Sequence, residues 1–111
     1  MQKFKIVLSR PERAFIFFSA QSFKPDLPIS ESPHLEGLRV MFTAVLQSIA
    51  AKNYDLFNTQ EIACKFSLPE VCAIYQMSND SFEYLNSAET ITAARSIIWK
   101  THKIMMNNEN R

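Results

Sequence analysis

Glycine is almost missing from this chain, and its scarcity removes a class of function at the outset. The 111 residues hold one glycine, Gly37, inside an apolar-periodic stretch, so there is no glycine-rich turn to cradle a nucleotide phosphate. Cysteine is scarce as well. Cys64 and Cys72 have no His or Cys cluster beside them, which excludes a zinc site of ordinary spacing and leaves two buried thiols as the expectation. Histidine is limited to His34 and His102. Nothing assembles a nucleophile, a base and an oxyanion donor, so no enzyme, cofactor or metal is expected. Apolar runs such as Ala14-Phe15-Ile16-Phe17-Phe18 fall far short of the roughly 20 residues a spanning helix needs. No basic start leads into a secretory apolar stretch. The expectation is a cytoplasmic protein, or a nuclear one in a eukaryote, without a membrane partner.

What is present fits one domain over residues 1–111. Hydrophobic residues make up 47% and charged residues 21%, enough to bury a core and unlike a disordered chain. The net charge is only +1, but it is unevenly spread. The two ends are basic and the middle acidic, a distribution that can mark a binding surface.

Phe4, Ile6 and Leu8 alternate within Lys-Phe-Lys-Ile-Val-Leu, as in a half-buried strand. The next segment reads two ways. Either Arg10-Pro11-Glu12-Arg13 turns and Phe15 to Phe18 returns as a second strand, or Ser9-x-x-Glu12 caps a helix running to about Phe23. The hairpin is the favoured reading. Pro25, Pro28 and Pro33 then make residues 24–33 a loop. The remaining helical core is expected over residues 34–106. Leu35, Leu38, Phe42, Val45 and Ile49 form one stripe of a helix over about 33–52. Thr59 is expected to cap a short helix to Phe66, and Ser67-x-x-Glu70 with Pro69 a second to about Met77. A last helix begins at Asn86-x-x-Glu89, carries Ile91, Ala94, Ile98 and Met105 inward, and frays over 107–111. No internal repeat is evident. The fold class is mainly α with an N-terminal β-hairpin (α+β), a helical bundle containing a tight corner.

That corner, Thr59-Gln60-Glu61-Ile62-Ala63-Cys64-Lys65-Phe66-Ser67-Leu68-Pro69, resembles the first helices and turn of winged-helix transcription regulators over residues 43–77. The resemblance implies a helix-turn-helix whose second helix meets a partner. Its outward positions would be Glu70, Val71, Cys72, Ile74 and Tyr75, none of them cationic. The local acidic excess disfavours contact with phosphates. An exposed apolar helix instead marks a protein surface, so the leading expectation is a small regulatory or adaptor protein that associates with another protein through Glu70, Val71, Ile74 and Tyr75. The alternative is a dimeric DNA-binding regulator using the basic ends, Lys3, Lys5, Arg10, Arg13, Arg95, Lys100 and Lys103. Pairing of open strand edges between two copies would give a homodimer.

Overall fold

Two serines mark where strands give way to helices. The computed structural model describes residues 2–23 and 33–109. Within them Lys3–Leu8 forms strand β1 and Arg10–Ser22 helix α1, with Ser9 between. The Ser9 hydroxyl accepts from the Glu12 N–H while the Glu12 carboxylate accepts from the Ser9 N–H. Pro11 sits in the first turn, where a missing N–H leaves no bond unmade. The second junction repeats the first. Ile62–Ser67 forms β2 and Leu68–Ser81 forms α3, with Ser67 and Glu70 in the same reciprocal bonds and Pro69 in the first turn. Pro33–Ala50 forms α2, and Ala88–Glu109 forms α4 after one 3-10 turn at Phe82–Tyr84.

The described chain is mainly helical with one two-stranded antiparallel sheet, the expected α+β class. The N-terminal strand does pair antiparallel, but its partner is not the Phe15–Phe18 run. Those residues lie in α1, because the satisfied capping box starts a helix that buries Phe15 and Ile16 on its inner side. The partner is β2, which occupies the stretch expected as the first short helix of the corner. Ile62, Cys64 and Phe66 point inward there while Ala63 and Lys65 are exposed, a period of two that suits a strand. The corner at Ser67 therefore joins strand to helix. The proline-rich loop expected over 24–33 lies outside the described residues apart from Pro33, which opens α2. Residues 107 to 109 of the expected frayed tail are helical, and 110 and 111 lie outside the described residues. Among the described residues no helix is long and apolar enough to cross a membrane.

Strand, helix, helix is followed by strand, helix, helix, so the chain contains one unit twice. α1 packs on α2 and α4, and α3 packs on α4 and α2. Glu12 of α1 pairs with Lys100 of α4 at 2.9 Å, while Glu70 of α3 faces Lys52, just beyond α2, at 3.4 Å. The Ser48 hydroxyl donates to Glu70, and Ser96 lines a groove beside Glu12. The repeat that the sequence hides is Ser-x-Pro-Glu, at Ser9 and at Ser67, followed by Ser-Ile-x-x-Lys, at Ser48 and at Ser96. Equivalent positions share their burial: Leu8 and Phe66, Ile16 and Ile74, Ile49 and Ile97. The register pairs Lys3 with Ser67, Lys5 with Lys65, Ile6 with Cys64, and Val7 with Ala63. An approximate two-fold axis thus passes through the Ile6–Cys64 pair.

Candidate nucleic-acid interface

A strand shows alternate side chains to opposite faces, and in this sheet the inner set fills the core. The outer set is Lys3, Lys5 and Val7 on β1 with Ala63 and Lys65 on β2, all exposed. Lys5 and Lys65 stand directly opposite each other. Like charges so placed weaken a sheet, and neither lysine has an ion-pair partner among the described residues. Lys3 is 3.9 Å from Glu70. Helix α4 rims one side of this face. Trp99 is 63% exposed there and Val7 44%, and the Lys103 ammonium lies 5.1 Å over the Trp99 ring. A groove of about 340 Å³ runs between β1 and α4, lined by Lys5, Val7, Glu61, Trp99, Lys100 and Lys103.

Lys100 in this groove is already engaged. Its ammonium donates to the Val7 carbonyl at 2.9 Å and to both Glu12 oxygens. Burial pushes the Glu12 carboxyl up, but the Ser9 N–H, Lys100 and the Ser9 hydroxyl together outweigh it and hold the group below its ordinary value. Glu70 behaves alike. Burial raises it, and the Ser67 N–H, Lys52 and the Ser67 and Ser48 hydroxyls bring it lower. These two carboxylates fasten helices to one another across the two-fold axis.

The partner surface expected on α3 is not there. Val71 and Ile74 are 0% exposed and Glu70 is buried in its capping box. Tyr75 is half-buried, with its ring 5.9 Å from that of His102. The reason is packing. α3 lies against α4, α1 and α2 together, so the positions that a helix-turn-helix would leave outward face this protein's own core. Cys64 and Cys72 are partly buried and neither is in a disulfide. Burial pushes the Cys64 thiol up against the opposing pull of Arg13 and Lys52, away from a reactive thiolate. No group of three or more potential metal ligands occurs among the described residues.

Apart from Lys100, held by Val7 and Glu12, the basic candidates separate into three sets. Lys3 and Lys5 lie on the outer sheet face and Lys103 on its rim. Arg10 and Arg95 are exposed elsewhere, at the first residue of α1 and over the Phe82 ring. Arg13 is 0% exposed and has no access to a ligand. Its guanidinium donates to the carbonyls of Tyr54, Leu8, Gln60, Asp55 and Asn58, and so holds the segment joining the two units. That segment is further fixed by Asn53 and Asn58, whose side chains accept from the Asp55 and Gln60 N–H groups. Asp55 takes the left-handed φ of 48° that Asp tolerates. Phe57 stands at its tip, 98% exposed. Sequence reasoning missed Lys65, because residues 60–66 were read as helix. The alternation of Ile62, Cys64 and Phe66 was the signal that would have found it. Comparison of the chain with protein-family models, with curated proteins and with solved structures finds no match.

Proposed function

We propose that this chain is a non-catalytic DNA-binding protein of regulatory type that lays the β1–β2 ribbon into the major groove of a duplex. The observation that carries the reading is the outer face of the ribbon, exposed throughout and bearing Lys3, Lys5 and Lys65. A major groove about 12 Å wide admits a two-stranded ribbon, whose side chains then reach base edges. Six residues of strand span about 20 Å, roughly six base-pair steps. Lys103 on the rim is placed to meet a flanking phosphate. Of the acids that disfavoured a helix-turn-helix reader, Glu70 lies inward and paired, while Glu61 borders the groove at one end of the ribbon only. Two-fold symmetry of a duplex backbone also matches a ribbon with an axis through its centre. The compartment is then the cytoplasm, or the nucleus of a eukaryote.

The test is fluorescence anisotropy of a labelled mixed-sequence duplex titrated with the protein over a range of salt. Affinity should fall steeply with log salt, Lys103→Ala should flatten the slope by about one, and Lys5→Ala or Lys65→Ala should each weaken binding by about 1–3 kcal/mol. Unchanged affinity for both ribbon variants would remove the ribbon as the binding face. A second reading, association with a protein partner, is favoured by Phe57, an aromatic ring held out on a fixed segment. Phe57→Ser would abolish partner capture in nuclease-treated extract under that reading and leave duplex binding unchanged under the first.

A further inference from the structure

The two units differ at every outward position of the ribbon, and this bears on what a DNA-reading ribbon reads. A half-turn about the Ile6–Cys64 pair carries Lys3 onto Glu61, Lys5 onto Ala63, and Lys65 onto Val7. One end of the face is therefore a cluster of three lysines, Lys3, Lys5 and Lys65. The other end is Val7 and Ala63 with Glu61 beside them in the groove. The backbone is nearly symmetric while the chemistry it displays is not.

We infer that one copy of the chain occupies a non-palindromic duplex site, with guanines under the Lys3–Lys5–Lys65 end and thymine methyl groups under the Val7–Ala63 end. The inference rests on the DNA-binding reading above. Lysine donates to guanine O6 and N7, whereas small apolar side chains complement the thymine C5 methyl. Same-face side chains recur about every 6.8 Å along a strand, close to two base-pair steps, so Lys3, Lys5 and Val7 sample successive parts of one site. Glu61 stands where symmetry would demand a second copy of the Lys3 contact. It repels phosphate and accepts only from a donor such as cytosine N4, so the two halves of the site cannot be alike. No second chain is needed, because both strands of the ribbon belong to the same polypeptide.

The experiment is selection of bound duplexes by the purified full chain from a library randomised over about 15 base pairs, one and a half turns, followed by sedimentation of the complex. The expected result is a directional consensus with guanine at one end and A·T pairs at the other, carried by one chain per duplex. Lys5→Ala with Lys65→Ala should relax the guanine positions alone, and Val7→Ser the thymine positions alone. All three residues are exposed, so these variants keep the fold, which circular dichroism checks. A palindromic consensus, two chains per duplex, or binding without any consensus would overturn the inference while leaving DNA binding intact. Retention of no duplex even at low salt would overturn the DNA-binding reading itself.

Discussion

The first strand–helix–helix unit and the second share a skeleton and differ in what they attach to it. Both open with a serine capping box, both bury an isoleucine at the centre of the first helix, and both send a lysine to the other unit's glutamate, Lys100 from within α4 and Lys52 from just beyond α2. They part at the residue after that glutamate. It is Arg13 in the first unit and Val71 in the second, and both are fully buried. Val71 adds to an apolar core. Arg13 instead takes four carbonyls of the connecting segment together with that of Leu8 at the end of β1, and the four exist as partners only because one unit runs on into the next. Shared positions therefore report what the fold needs, and this divergent one reports what joining the units has added.

The largest effect should come from making the units alike at that position. Arg13→Val removes the donors from carbonyls that have few other partners, and a destabilisation of about 4 kcal/mol is expected by urea denaturation. A loss under about 1 kcal/mol would show that Asn53 and Asn58 hold the segment unaided. Next come the equivalent core residues. Ile16→Ala and Ile74→Ala should each cost about 3 kcal/mol, with similar values if the units contribute equally to one cooperative core. Two separate unfolding transitions would instead break the comparison, since the units would then be independent.

Smaller effects probe the crossed carboxylates. Glu12→Gln and Glu70→Gln should each cost about 1 kcal/mol near neutral pH through the weakened cap. Both carboxyls lie below the ordinary value of 4.5 in the folded chain, so the stability they confer is complete above that value. It is lost as the pH falls through the lower folded value. The double variant should therefore lose less stability than wild type on acidification below pH 4.5; parallel acid curves would contradict the shifts. The smallest effect belongs to Ser78. Its buried hydroxyl has no hydrogen-bond partner among the described residues, and the equivalent position in the first unit is the buried Ala20. Ser78→Ala should be neutral or stabilise by up to about 1 kcal/mol, and a clear fall in melting temperature would show that the hydroxyl is needed.

Local signals were legible where the chain satisfies itself locally. The alternation of Phe4, Ile6 and Leu8 marks β1, the stripe through Phe42, Val45 and Ile49 marks α2, and Ser67-x-x-Glu70 marks the start of α3. The same capping signal at Ser9 was readable too, but the aromatic run after it favoured a strand. What escaped depends on distant partners. β2 becomes a strand because β1 waits about 60 residues earlier in sequence to pair with it, and a helical motif covers the same letters. Burial of Val71 and Ile74 follows from three helices converging on α3, which no spacing within α3 reveals. Of the interface, Lys3, Lys5 and Lys103 were legible as basic terminal residues. Lys65 was hidden by the helix reading, and Arg13 was taken for a surface charge because nothing in its neighbours announces a cage of carbonyls.

The segment that Arg13 grips has a consequence for dilution. Where two such units were separate molecules, halving their number would more than halve the assembled ribbons, and at low copy number most units would stand alone. A covalent connection held folded keeps the second strand at the first, at an effective concentration that does not depend on how many chains are present. The count of complete ribbons then follows the count of chains in simple proportion, down to the last molecule.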